Sequence, residues 1–122
     1  MLQNDFYHIS NQTIEENSIS ATLQINAAHY IFAGHFPDHP VVPGVCMMQM
    51  VKEMLEKLVG SNCRLIKAHE MKFLSLIDPM VNNTIHMDLK NSNAEDGQFM
   101  VSAVIKFAET TFFKFKGNFT AI

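Results

Sequence analysis

The segment from Gly34 to Gly44 is Gly-His-Phe-Pro-Asp-His-Pro-Val-Val-Pro-Gly, and a methionine-rich apolar stretch follows it directly. Each proline fixes its own φ and restricts the residue before it, so these residues predict a rigid loop. Val42, the residue before Pro43, has no side-chain acceptor for the first N–H groups of a helix. We therefore expect a helix whose N-terminal donors are available to an oxygen from outside the chain.

The stretch from Val45 to Val59 has the spacing of an amphipathic helix, with Gly60 as its C-terminal stop. Its first half is apolar nearly all round, which predicts burial, whereas its second half is expected to be half-solvated. The predicted apolar side consists of Met47, Met50 or Val51, Met54 and Leu58, and the polar side of Lys52, Glu53, Glu56 and Lys57.

Elsewhere the apolar residues alternate with a period of two, which predicts half-buried strands over residues 19–25 and 85–90. Further strands are expected over residues 63–74, 99–108 and 110–119. The order of elements predicts an α+β domain in which an antiparallel sheet wraps around one long central helix. At 122 residues, the chain is interpreted as a single domain over residues 1–122.

Composition narrows the possible partners and compartments. Charged residues make up 17% of the chain and the net charge is −3, which gives no electrostatic basis for binding nucleic acid. Cys46 and Cys63 have no framework spacing, so a reducing environment is expected. The N-terminus has neither a basic start nor an apolar run, and we predict a cytoplasmic protein without a membrane partner.

Residues 34–37, together with residues 40–45, closely resemble the signature of the beta-hydroxyacyl-acyl-carrier-protein dehydratases. These are small hotdog-fold enzymes of fatty-acid synthesis. A weaker resemblance lies in Lys72-Phe73 and Pro79, although Met80 and Val81 replace the usual Gly-Asp after this proline. The resemblance implies a hotdog fold, and a lyase that removes water from a (3R)-hydroxyacyl group.

The resemblance also implies a dimer with two acyl tunnels between its subunits, acyl carrier protein as partner, an acyl thioester as substrate, and no metal or cofactor. His35 takes the position of the catalytic base, which removes the proton alpha to the thioester carbonyl. The backbone N–H of Gly44 would hold that carbonyl, as a helix N-terminus can. Phe36, Val45 and Met48 are expected to contact the acyl group.

Gln49 departs from the family pattern. The family places Glu or Asp fourteen residues after its histidine, and here that position is Gln49. An amide keeps a hydrogen-bond donor but has no proton to transfer near neutral pH. Because general-acid catalysis contributes roughly 100-fold to 10,000-fold in rate, its loss should be measurable.

Three hypotheses accommodate Gln49. His35 could act alone while Gln49 orients the hydroxyl group, which would give slow dehydration. The chain could pair with a related subunit that carries the acid, so that only one composite site is active. It could instead be an acyl thioesterase, or an acyl-binding subunit without catalytic activity.

Other candidates carry less weight. Glu53 lies one turn beyond Gln49, and we interpret it as a solvated helix residue. The i, i+4 pair His35 and His39 lies in a proline-rich loop without a third ligand, which argues against a metal site. Cys46 is interpreted as a buried apolar thiol rather than a nucleophile. The remaining histidines, His8, His29, His69 and His86, are interpreted as structural.

The chain has nine methionines and four closely spaced C-terminal phenylalanines. The helix methionines could line an adaptable acyl channel or fill the seam between helix and sheet. The phenylalanines, expected in the core or a dimer contact, are Phe112, Phe113, Phe115 and Phe119. Lys114 and Lys116 alternate with them and could meet an acidic carrier protein.

Overall fold

The computed structural model describes residues 2–34, 38–93 and 97–122. The elements that it contains, in chain order, are β1 (Tyr7–Glu15), β2 (Ser18–Ile25), α1 (Ile31–Gly34), α2 (Gly44–Val59), β3 (Cys63–Phe73), β4 (Thr84–Asn93), β5 (Gln98–Phe107) and β6 (Thr110–Ala121).

The strands form one antiparallel sheet in the order β1-β2-β4-β5-β6-β3. After β2 the chain leaves the sheet, passes through α2, and adds β3 at the far edge. It then returns to place β4 beside β2. The long crossover leaves β1 and β3 as the two edges of the sheet, and α2 contacts β2, β3 and β4. This is the predicted arrangement of an antiparallel sheet around one long helix.

The core lies between α2 and the sheet face that it covers. Alternate residues of β2 are buried at Ile19, Ala21, Leu23 and Ile25. The four C-terminal phenylalanines are each at most 2% exposed, so their predicted place in the core is confirmed. Complete burial of a side chain of this kind contributes about 1.5–3 kcal/mol. The buried apolar residues of α2 are Cys46, Met47, Met50, Val51, Met54 and Leu55.

Helix α2 begins without a side-chain cap and ends on a glycine, as predicted. Its N-cap residue is Pro43, one residue later than Val42, and Pro43 has no side-chain acceptor either. Gly60 adopts a left-handed conformation with φ of 75° and donates its N–H to the carbonyl of Glu56. On the apolar side Leu55 is fully buried, whereas Leu58 is only half-buried.

Strand β1 and the short helix α1 were not predicted. Only Tyr7 of β1 is buried, and a bulge between Ile9 and Asn11 interrupts its pairing with β2. Because only one residue of this strand packs into the core, its sequence does not show the alternation of apolar and polar residues that predicts a strand. The predicted strand bounds elsewhere are correct to within a few residues.

Edge strand β3 is long and largely exposed. Of its eleven residues only Cys63 is buried, and its free edge carries no strand partner among the described residues. The exposed apolar side chains of this strand and the loop after it are Leu65, Ile66, Met71, Phe73, Leu74, Leu76, Met80 and Val81. Long apolar edges favour pairing with another strand.

Gly117 of β6 occupies a position where a side chain does not fit. A Cβ atom there would lie 2.6 Å from the carbonyl oxygen of Lys67 and 2.6 Å from the ring of Phe115. The partner segment of β3 contains two pairing irregularities, between Leu65 and Lys67 and between Ala68 and Glu70. The backbone of β3 thus approaches β6 closely enough to require glycine.

We expect Gly117→Ala to lower the free energy of unfolding by about 1–3 kcal/mol, because backbone atoms must move to accept the methyl group. Urea denaturation measures this change. Lys114→Ala, at an exposed position of the same strand, serves as control. Equal stability of the two variants would contradict the close approach.

Candidate active site

Of the predicted site residues, His35 and Phe36 lie outside the described residues. The structure does place the chain on both sides of them. Helix α1 ends at Gly34, and the loop rejoins the core where Val42 donates its N–H to the carbonyl of Ile77 at 2.9 Å. This hydrogen bond of Val42 holds the start of α2 in place.

The N-terminus of α2 presents free donors. The N–H groups of Cys46 and Met47 both point to the carbonyl of Pro43, at 3.0 and 3.2 Å. Within the described part of the chain, the N–H groups of Gly44 and Val45 donate to no protein acceptor. Together with the partial positive charge of a helix N-terminus, these donors favour an oxygen that gains negative charge.

Gly44 also permits a close contact between α2 and the edge strand. A Cβ atom at this position would lie 2.9 Å from the ring of Phe73, which stacks on Phe113 at 4.8 Å between ring centroids. Any side chain here would displace that ring. The glycine therefore brings the free helix donors next to β3.

A groove of about 580 Å³ runs along α2 beside the exposed edge strand. One wall is the helix surface that carries Val45, Met48 and Gln49, and the other comes from β3 and β6. Val45 is exposed, while Gly44, Met48 and Gln49 are half-buried. The lining is predominantly apolar and consists of Gly44, Val45, Met48, Gln49, Lys52, Leu65, Met71, Phe73 and Phe119. Four of the six predicted site residues meet in this groove.

The side chain of Gln49 is held by Glu53. Its Nε2 donates to Oε2 of Glu53 at 2.9 Å, across one turn of α2. Burying an amide without a partner is unfavourable, and this hydrogen bond satisfies the nitrogen end of Gln49. The partner is a carboxylate rather than a backbone carbonyl.

The interpretation of Glu53 as a solvated residue was wrong. Glu53 is 2% exposed, and its two oxygens accept four hydrogen bonds. Apart from Gln49, the donors are the backbone N–H groups of Leu2 and Gln3, each at 2.9 Å, and the hydroxyl of Tyr7 at 3.0 Å. The N-terminal segment covers the carboxylate, which the pattern of the helix alone could not reveal.

Tyr7 remains a donor to this carboxylate. Burial, then the charge of Glu53 and the hydrogen bond to it, raise the pKa of the Tyr7 phenol. A signal for the burial of Glu53 was present in the sequence, because it lies three residues after Met50 and four after Gln49. That spacing places it near the apolar face, beside the one amide of the buried half of the helix.

Cys46 does not have the environment of a nucleophile. It is 4% exposed, and burial raises the pKa of its thiol, so that little thiolate forms near neutral pH. Both cysteines are free thiols, and burial also raises the pKa of Cys63. The interpretation of Cys46 as an apolar core residue agrees with this geometry.

A polar cluster on strands β2 and β4 was not predicted. Ser20 donates to Asp88 at 2.8 Å, and Nε2 of His86 lies 2.9 Å from the Ser20 hydroxyl. Burial alone would raise the pKa of Asp88. The hydrogen bonds from Ser20 and Lys106, together with the nearby His86, lower it by more, so the net pKa lies below its usual value. Because the serine proton is directed at Asp88 rather than at the imidazole, the cluster does not have the order of a nucleophilic relay.

His29 has a structural role. It is buried, its Nδ1 accepts the N–H of Ile31 at 3.1 Å, and its Nε2 therefore donates to Asp5 at 3.1 Å. The pair joins the N-terminal segment to the start of α1. Both ring nitrogens are thereby engaged within the fold.

A larger groove, of about 650 Å³, is lined by the turn after β1 and by residues of β4, β5 and β6. Its lining includes Glu15, Glu16, Lys90 and Lys116, and contains none of the predicted site residues. It also lacks the free N-terminal donors of a helix. The groove beside α2 is therefore the better candidate for thioester chemistry, although it is the smaller of the two.

Comparison with known families gives an independent finding. A family model described as ApeI-like, ApeI dehydratase, matches residues 11–116. No curated protein sequence matches the chain significantly. The dehydratase relationship that the loop motif suggested is thus confirmed at the level of the ApeI-like proteins.

Solved structures share the fold. The dehydratase heterocomplex ApeI:P from Xenorhabdus doucetiae aligns with a TM-score of 0.74 and 17% identity, over 92% of this chain and 96% of its own. An uncharacterized protein from Erwinia carotovora subsp. atroseptica gives a TM-score of 0.64 and 22% identity, over 95% and 93%. A hypothetical thioesterase with coenzyme A from Streptococcus pneumoniae TIGR4 gives 0.70 and 9%, over 98% and 90%. The predicted hotdog fold is confirmed.

Across residues 2–34, 38–93 and 97–122, neither helix combines the length and the apolar character needed to cross a membrane.

We expect Glu53→Ala to lower the free energy of unfolding by about 3 kcal/mol or more, because buried donors left without an acceptor are each unfavourable by about 1–3 kcal/mol. Thermal or urea denaturation measures the change. Glu109→Ala, the same substitution at an exposed turn position, is the matched control and should be nearly neutral. Similar small effects for both variants would show that Glu53 does not organise the N-terminal segment.

Proposed function

Because the chain belongs to the ApeI-like dehydratase family, we propose that it is a subunit of a dehydratase that acts on (3R)-hydroxyacyl thioesters carried by acyl carrier protein. The groove beside α2 is the proposed acyl site, with Val45 and Met48 as apolar contacts. Phe36 is proposed as a further contact from the loop. The free N–H groups at the helix start, next to an apolar groove, carry this proposal.

In the proposed reaction His35 removes the proton from the carbon alpha to the thioester carbonyl. The developing negative charge on the carbonyl oxygen is stabilised by the N–H of Gly44. The Cα–Cβ double bond forms as the bond from Cβ to the hydroxyl oxygen breaks. The departing hydroxyl takes up a proton and leaves as water.

That last proton requires an acid, and the described residues of the groove include no carboxylic acid. Among the described residues that line it, none carries a carboxyl group, and Gln49 has no proton to transfer near neutral pH. The carboxylate that contacts Gln49, Glu53, is covered by the N-terminal segment and engaged by four donors. We propose that the acid comes from a related hotdog subunit, and that His35 works opposite it.

The exposed edge of β3 is the proposed interface with that subunit. It borders the groove through Leu65, Met71 and Phe73, so a partner strand added here would close the groove. The ApeI:P structure is a heterocomplex by its own description. We propose the same kind of pairing for this chain, in preference to a homodimer with Gln49 in both sites.

Activity tests the proposal directly. The chain is expected to dehydrate a 3-hydroxyacyl thioester of acyl carrier protein about 100-fold or more faster when it is purified with a hotdog relative that carries the acid. The relative without its carboxyl group is the control. In the complex, His35→Ala of this chain should remove most of the activity.

Two outcomes would contradict this assignment. Equal turnover by the chain alone and by the complex would show that no second subunit is needed. Release of free thiol from simple acyl thioesters, without alkene formation, would indicate the thioesterase hypothesis instead.

The partner surface has its own test. Ile66→Lys should weaken association of the subunits about tenfold or more, because it places a charge in the apolar edge. Ile14→Lys on β1 is a matched control, since Ile66 and Ile14 are 43% and 46% exposed on the two opposite edge strands. Analytical ultracentrifugation gives the dissociation constants. Equal effects of the two variants would argue against β3 as the interface.

A further inference from the structure

The geometry around Gln49 points to a second role for Glu53, one that rests on the proposed acyl site. We infer that Glu53 is a positioning residue, which holds the Gln49 amide so that its carbonyl oxygen Oε1 faces the groove and accepts a hydrogen bond from the acyl hydroxyl. The site would thereby prefer hydroxylated over plain acyl groups. Neither residue transfers a proton in this role.

The orientation of the amide follows from its partner. The oxygens of Glu53 receive backbone donors from Leu2 and Gln3 and the hydroxyl of Tyr7, so the carboxylate acts as an acceptor throughout. Only the nitrogen end of the Gln49 amide can form a hydrogen bond with an acceptor. A flipped amide would bring Oε1 against the carboxylate and would be repelled.

The other end of the amide is then available to a ligand. Within the described part of the chain no group donates to Oε1 of Gln49, and this atom is not among the buried polar atoms that lack a partner. Among the described residues this atom is therefore accessible, and Gln49 is one of the residues that line the groove. The groove is otherwise mostly apolar, so a hydroxyl group inside it would find few competing acceptors.

The hydroxyl of a 3-hydroxyacyl group is a suitable donor for this oxygen. An acyl group without it would leave the amide oxygen facing an apolar chain. A neutral hydrogen bond of this kind changes affinity by about three- to tenfold. A ligand preference of that size is therefore the expected signature of the arrangement.

Binding of stable analogues measures this preference without turnover. The probes are the 3-hydroxyacyl and plain acyl amides of pantetheine with the same chain length, whose less acidic α protons do not support elimination. Isothermal titration of the complex with its relative gives the ratio of the two affinities. We expect the native protein to favour the hydroxylated probe about three- to tenfold.

Glu53→Gln should bring this ratio close to one, because an amide at position 53 can accept or donate and no longer fixes Gln49. Tyr7→Phe is the structural control. It also removes a hydrogen bond from Glu53, but it leaves Gln49 held, so the fold is weakened while the ratio persists. A general loss of stability would affect both variants, whereas a positioning role affects only the first.

Gln49→Met provides a second test that does not depend on the folding of the Glu53 variant. It removes the acceptor and leaves Glu53 with its three other donors. The hydroxyl preference should disappear. A ratio that persists in Gln49→Met, or in a folded Glu53→Gln, would overturn the inference while the proposed function stands. Failure of both probes to bind the native complex would overturn both.

Discussion

The buried carboxylate of Glu53 is the interaction on which the candidate site depends. A charge removed from water is unfavourable unless it is fully hydrogen-bonded, and this one accepts four hydrogen bonds from three parts of the chain. The donors join the N-terminal segment, the first residue of β1 and the middle of α2. These four hydrogen bonds therefore fix the position of the N-terminal segment against α2 and the orientation of the Gln49 amide.

The second constraint is the position of the groove at the edge of the sheet. Its helix wall carries the N–H groups of Gly44 and Val45, which donate to no acceptor among the described residues, and its other wall includes the exposed strand β3. The contact of Gly44 with Phe73 brings the two together. The proposed acyl site is open on one side, and in the proposed complex another strand pairs with β3 and closes it. The proposal thus couples assembly and chemistry through the same few residues.

Much of this architecture could be predicted from local pattern. The period of two in β2 and β4, and the long apolar stretch of α2 between Pro43 and Gly60, have local causes and were recognised. Strand β1 buries one residue and has a bulge, so it left no such pattern. The spacing of Glu53 from Met50 places it near the apolar face of the helix, but the backbone groups that cover it lie about fifty residues earlier in the chain and are not specified by the helix sequence. Gln49 was recognised as unusual, but its partner was not.

The chemistry of position 49 is set by position 53. A carboxyl group at 49 would lie at hydrogen-bond distance from the buried carboxylate, where the amide nitrogen now lies at 2.9 Å. Two carboxylates so close repel each other, so the charged form of a carboxyl group at position 49 would be disfavoured beside Glu53. The amide avoids this conflict, since it donates to Glu53 and leaves an oxygen toward the groove. As long as the carboxylate of Glu53 secures the N-terminal segment, the amide fits the role proposed for position 49, which is to bind the hydroxyl group of the substrate rather than to protonate it.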